Sequence, residues 1–153
     1  MAVPLPASID RLLTLQRLAE TSGDADLASW FSEGIADFLF AEVPLEQALD
    51  LRADGRGKST ARRAYLLNRR NAALCAAWAL CDGDSPWQQS IALASAVKRF
   101  QSILWPRWRS LDHPPCKAAD INRHLFTAHR CGAMPTSPLQ LHRIAVLMNP
   151  DAG

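Results

Sequence analysis

The sequence lacks any long apolar run, and it also lacks a basic leader followed by an apolar stretch. No segment of its 153 residues approaches the length of about 18 apolar residues that suggests a membrane-spanning helix. The opening MAVPLPASIDRLL does not have the order of a secretory signal. Alternation of apolar and polar residues with period two never persists, so strands are not predicted either. We therefore expect a helical protein without membrane segments.

The four cysteines lack any regular spacing, and no Cys-x-x-Cys pair is present. In a chain without a signal sequence, this pattern predicts reduced thiols and a cytoplasmic location. Cys75 and Cys81 fall on different sides of one predicted helix, which indicates small core residues. The abundance of alanine, leucine and arginine is typical of a bacterial protein.

Start and stop signals for helices are frequent along the chain. Asp24 and Ser85 are expected N-caps, Gly23 and Gly132 are expected stops, and Pro106 is expected to end a helix. We predict an all-α, orthogonal or bundle-like single domain of about seven helices, the longest spanning about residues 59–81. Its parts are an acidic helical hairpin at 8–42, a basic loop and central helix at 52–81, and C-terminal helices at 85–149.

Charge is strongly segregated along the chain despite a net charge of +2. Residues 1–50 hold nine acidic and two basic side chains, whereas residues 51–71 hold one acidic and seven basic side chains. Two interpretations follow. The acidic helices could neutralise the basic stretch internally, or the basic stretch could bind an anionic partner.

The basic stretch, read as a helix, gathers its arginines within about one third of the helix circumference. The preceding Gly55-Arg56-Gly57-Lys58-Ser59-Thr60 resembles the end of a phosphate-binding loop. It lacks the first glycine of that motif, since Arg52 stands there, and no strand precedes it. We expect a nucleic-acid-binding face instead. Its candidate residues are Arg56, Lys58, Ser59, Arg62, Arg63, Arg69 and Arg70.

Two further segments are secondary binding candidates. A segment with Ala128, Gly132 and Ser137, followed by a helix with polar residues, resembles a helix-turn-helix protein, although its turn is about two residues too long. The helix Pro44–Leu51 followed by Ser59 onward forms a looser pattern of the same kind. A corner rich in tryptophan and arginine could instead lock two helices or contact a partner. The secondary candidates are Gln140, His142 and Arg143 in the helix, and Trp105, Arg107, Trp108 and Arg109 in the corner.

No pattern indicates catalysis, a cofactor or a metal. The histidines and two cysteines between His113 and His142 lack the spacing of a zinc site. No nucleophile elbow or metalloprotease motif is present. We therefore expect a small non-enzymatic, DNA-binding regulatory protein. The alternative is a protein-interaction module, an adaptor or inhibitor, that contacts its partner through the acidic N-terminal helices or the Trp105–Arg109 corner.

Overall fold

The computed structural model describes residues 7–52 and 60–148. These ranges are helical and contain no strand, which confirms the all-α prediction. None of their helices is long and apolar enough to cross a bilayer. The helices are α1 (Ala7–Thr21), α2 (Ala25–Phe40), α3 (Leu45–Ala48), α4 (Ala61–Ala79), α5 (Pro86–Arg99), α6 (Trp105–Trp108), α7 (Asp120–Cys131) and α8 (Pro138–Met148).

The chain divides into two compact units, Met1–Arg62 and Arg63–Gly153. In the first unit, α1 and α2 pack together as the expected hairpin. Gly23 has a φ of +82°, which side-chain-bearing residues rarely adopt, and this explains why α1 stops here. The Asp24 carboxylate then accepts a hydrogen bond of 2.9 Å from the Leu27 N–H, which confirms the predicted cap of α2. The one-domain expectation stays a prediction.

The helix predicted from Pro44 to Leu51 is wrong in length, because α3 is a single turn. Asp50 takes a left-handed φ of +50°, which ends the helical conformation before Leu51. Leu49 is buried and meets α2 where Gly34 leaves room for it. The predicted supporting helix of the first helix-turn-helix pattern is therefore too short, and its second helix was to start at Ser59, outside the described residues.

The second unit is built around a core to which α4, α5, α7 and α8 all contribute. Its largest fully buried side chains are Leu74, Leu93, Phe100, Leu125 and Leu141, and each is at most 1% exposed. Cys75 and Cys81 are buried as expected, and burial raises the pKa of both thiols. This core fixes the relative positions of the four helices.

Pro106 does not end a helix as predicted. The chain continues from α5 through a π-helical segment, Phe100–Leu104, into α6, which contains the proline. The Trp105 N–H bonds to the Phe100 carbonyl, five residues back. Proline has no N–H and its ring crowds the carbonyl four residues earlier, and a wider turn before it relieves that crowding. Where the sequence predicted the end of a helix, the chain instead changes from α-helix to π-helix and back to α-helix.

Two of the three tryptophans in α2, α4 and α5 lie at the surface. Trp78 is 7% exposed, whereas Trp30 is 42% exposed and Trp87 is 45% exposed. Helix α2 is apolar on several sides, and packing against α1 covers only part of its circumference. Trp87 stands in the first turn of α5, where its ring meets His142 edge-on.

The hydroxyl of Ser90 connects three helices inside the second unit. It is fully buried, donates to the Pro86 carbonyl at 2.8 Å and accepts from the Trp78 indole N–H at 3.0 Å. The His142 Nδ1 lies 3.3 Å away. Because the single hydroxyl proton goes to Pro86, His142 donates from Nδ1 to Ser90. Helices α4, α5 and α8 therefore share one polar atom.

We predict that Ser90→Ala lowers the free energy of unfolding by about 1–3 kcal/mol, because it leaves buried donors on Trp78 and His142 without an acceptor. Denaturant unfolding followed by circular dichroism measures this change.

Ser95→Ala is the matched control, since the exposed Ser95 makes the same hydrogen bond to the carbonyl four residues back, on Ile91, and its hydroxyl makes no hydrogen bond to another described helix. It should shift stability by no more than about 0.5 kcal/mol. Equal losses in the two variants would contradict the connecting role of Ser90.

Candidate nucleic-acid interface

The predicted nucleic-acid-binding residues fall into three groups in the structure. Arg56, Lys58 and Ser59 lie outside the described residues. Arg62 and Arg63 are exposed in the first turn of α4, and Arg62 is the last residue of the first unit. The remaining two arginines, at positions 69 and 70, belong to the second unit, and their surroundings differ.

Arg70 is half-buried and holds the turn between α7 and α8. Its Nη1 donates to the Ala133 carbonyl at 2.8 Å, while Nε and Nη2 donate to the Asn71 side-chain oxygen at 3.2 and 3.0 Å. Burial lowers the pKa of the Arg70 guanidinium, and nearby Cys131 acts in the opposite direction. All of these acceptors are neutral, so the positive charge of Arg70 remains uncompensated by them.

Arg69 is exposed, and its guanidinium donates to the Tyr65 hydroxyl at 3.3 Å. It lines an open cavity of about 330 Å³ together with Arg130 of α7. Arg130 donates to the Leu111 carbonyl at 3.1 Å, and its guanidinium carbon lies 6.0 Å from the centre of the Phe126 ring. Arg130 was not among the residues expected from the sequence, because only the tertiary fold brings it to Arg69.

The predicted helix-turn-helix segment lies beside Arg70. Helix α7 ends at Cys131, Gly132 takes a φ of +153°, and α8 begins at Pro138. Gln140 and Arg143 are exposed on α8 and share a groove of about 440 Å³ with Arg70. The structure therefore brings the primary candidate Arg70 and these two secondary candidates to one place.

His142, the third candidate on α8, faces the opposite way. It is half-buried between the Ser90 hydroxyl and the Trp87 ring. Its ring holds α8 against α5 and is not part of the groove that contains Gln140 and Arg143.

The Trp105–Arg109 corner has its two tryptophans turned inward and its two arginines turned outward. Trp105 stacks on His129 with ring centres 3.9 Å apart, and Trp108 contacts Phe100 at 5.8 Å. Both tryptophans are half-buried, whereas Arg107 and Arg109 are exposed. The two tryptophans therefore join helices within the protein, which is one of the two interpretations that the sequence allowed for this corner.

The His113–His142 region contains all four histidines and could hold a metal ion only if several of its side chains came together in space. Among residues 7–52 and 60–148, no three or more side chains of His, Cys, Asp or Glu come together in a way that could hold a metal ion. The histidines of this region serve other contacts, such as the stacking of His129 and the hydrogen bond of His142.

No protein-family model, curated protein or solved structure matches this chain. The function of the arginine-rich surface on α4, α7 and α8 is therefore inferred from its geometry. We use the name arginine face for Arg69, Arg70, Arg130 and Arg143, which come from α4, α7 and α8. Between residues 63 and 148, no described carboxylate lies within 4 Å of any of these four guanidinium groups.

We predict that Arg70→Ala lowers the free energy of unfolding by about 1 kcal/mol, because the Ala133 carbonyl loses its charged donor while the site stays partly open to water. Chemical denaturation measures the change. Arg69→Ala, which removes an exposed side chain next door, should stay within about 0.5 kcal/mol. If Arg70→Ala left the free energy of unfolding unchanged, this arginine would not be what holds the turn.

We further predict that His129 makes stability depend on pH. Burial against Trp105 lowers the pKa of His129 below its ordinary value of 6.5, so the unfolded chain binds the proton more readily. The stabilising contribution is complete above the unfolded pKa and is lost as pH falls through the folded pKa. Unfolding measured between about pH 8 and 5 should show this loss.

His129→Gln should remove most of this slope, whereas His113→Gln, which changes an exposed ring, should keep it. A slope that survives His129→Gln would assign the pH dependence to other groups.

Proposed function

We propose that the protein binds nucleic acid, and double-stranded DNA in particular, through the arginine face. The observation that carries this proposal is the placement of four arginines from three helices in two hollows of the second unit. Arg70 and Arg143 line the groove beside the turn after α7, and Arg69 and Arg130 line the cavity between α4 and α7. Three of them, Arg69, Arg130 and Arg143, are exposed, and all four lack a described carboxylate within 4 Å in their own unit. Such a surface attracts phosphates, which supply most of the affinity in non-specific DNA binding.

The groove beside α8 gives the proposal its geometry. Arg70 and Arg143 line its two sides, and the exposed amide of Gln140 lies on the same wall as Arg143. Arginine binds phosphate or the guanine edge in a bidentate way, and glutamine does the same with adenine. We assign Arg69, Arg70 and Arg130 to phosphate contacts, and Gln140 and Arg143 to contacts near the bases.

Binding should weaken steeply with salt, because each neutralised phosphate releases a counterion. The logarithm of the association constant should fall by about 0.9 per contact for each tenfold increase in salt. Fluorescence anisotropy with a labelled duplex measures this slope. Arg69→Ala combined with Arg143→Ala should reduce the slope by about 0.9, because one phosphate contact is lost with Arg69. It should weaken binding further through loss of the Arg143 contact near the bases, with circular dichroism unchanged.

Lys98→Ala combined with Arg99→Ala is the control for net charge, because it removes two exposed cations from α5, outside the arginine face. This variant should keep nearly the full slope. Equal losses in both double variants, or no anisotropy change at low salt, would overturn the proposal.

A second candidate function is protein binding through the acidic first unit. Its hairpin exposes large apolar side chains, with Phe40 84% exposed and Leu18 60% exposed. Carboxylates of Asp26, Glu33 and Asp37 are exposed on α2 as well. Acidic and apolar groups on one hairpin fit a basic amphipathic partner. Retention of a partner after nuclease treatment, lost on Phe40→Asp, would favour this function over DNA binding.

A further inference from the structure

The cavity between α4, α7 and the turn before α7 has the chemistry of a small-molecule site. Its volume of about 330 Å³ lies at the lower end of the range for ligand pockets, about 300–1,000 Å³. It lies entirely within the second unit, and it is lined by Leu66, Arg69, Asp112, His113, Pro114, Phe126, Thr127, Arg130 and Cys131.

The cavity is cationic on two walls. Arg130 is oriented by its hydrogen bond to the Leu111 carbonyl and by the Phe126 ring, and Arg69 bonds to Tyr65 through one nitrogen. Each guanidinium has five N–H donors, and these contacts use only part of them. The remaining donors of Arg69 and Arg130 can take a group with several anionic oxygens, for which phosphate is the best match.

The other walls select for more than a bare phosphate. The Asp112 carboxylate accepts hydrogen bonds but repels anions, so it suits a hydroxyl or amino group of the same ligand. The Thr127 hydroxyl gives its proton to the Arg123 carbonyl, which leaves its oxygen as a second acceptor. Leu66 and Pro114 supply apolar surface for the body of the ligand. One end of the cavity therefore suits an anion, and the rest suits a group with donors and an apolar side.

We propose that this cavity binds a small organic phosphate whose remaining part carries hydroxyl or amino donors, as a nucleoside monophosphate does. The phosphate bonds to Arg69 and Arg130, and the donors bond to Asp112 and Thr127. The site goes beyond the proposed function and needs no nucleic acid to fill it, although it shares two arginines with the arginine face.

Cys131 provides a reporter for the test, because it lines the cavity and is half-exposed. Cys116 is exposed and does not line the cavity, and Cys75 and Cys81 are buried. We expect adenosine monophosphate, without nucleic acid present, to slow alkylation of Cys131 by iodoacetamide while leaving Cys116 unchanged. At a concentration of about ten times its Kd, the slowing should approach tenfold. Mass spectrometry of each cysteine peptide measures both rates.

Variants and partial ligands test the assigned contacts. Arg69→Ala should weaken protection by adenosine monophosphate about tenfold, whereas Arg143→Ala, an exposed arginine outside the cavity, should leave it unchanged. Arg130→Ala should act like Arg69→Ala, and the Arg69 variant keeps the test valid if loss of the Leu111 contact impairs folding. Asp112→Asn should strengthen protection by inorganic phosphate and reduce the advantage of adenosine monophosphate over it.

Several results would overturn the proposal. These are absence of Cys131 protection at millimolar adenosine monophosphate, equal slowing at Cys131 and Cys116, and protection that persists in Arg69→Ala. Equal protection by inorganic phosphate and adenosine monophosphate would also overturn it, since that result would mark a site for any small anion. A 5′-phosphorylated oligonucleotide that protects Cys131 when the free nucleotide does not would assign the cavity to strand ends instead.

Discussion

The hydrogen bond between the Arg70 guanidinium and the Ala133 carbonyl is the contact on which the candidate site depends. It joins α4 to the turn between α7 and α8, and so it holds this turn beside the arginines of α4 within the arrangement that the core fixes. A carbonyl accepts the bond without neutralising the cation. Arg70 therefore supports the fold and contributes positive charge to the surface at the same time. A carboxylate in the position of this carbonyl would hold the turn equally well but would cancel the charge.

The aromatic cluster beneath this surface explains why Arg130 has a defined position. Trp105 and Trp108 both contact Phe126, and Trp105 also stacks on His129, so α7 is held along its inner side. Packing of rigid rings in this way restricts the rotation of a helix about its axis. Because this packing restricts the rotation of α7, Arg130, which lies one helical turn after Phe126 and contacts its ring, lines the same cavity as Arg69.

Signals that depend on neighbours in sequence predicted the local structure well. The cap at Asp24, the stop at Gly23 and the start of α5 at Ser85 all follow from backbone groups within a few residues, and all are confirmed. The helix end predicted at Pro106 was wrong, because the chain widens one turn before the proline instead of ending the helix, and this choice depends on the packing downstream.

The proximity of Arg69 and Arg130 had no signal in the sequence, since the two residues are brought together only by the core beneath α4 and α7. Gln140 and Arg143 were predicted as exposed polar residues of α8, but their place beside Arg70 also required the fold.

The π-helical segment at Phe100–Leu104 has a consequence for how this helix presents its side chains. Each residue of an α-helix rotates the side-chain direction by about 100° around the helix axis. One additional residue in a wider turn therefore rotates all later side chains relative to those of a regular α-helix. Phe100 and Trp105 would stand well apart around a regular helix, yet here their ring centres are 6.3 Å apart. The extra residue in the π-helical segment therefore places the side chain of Trp105, at the start of α6, on the same side of the helix as that of Phe100.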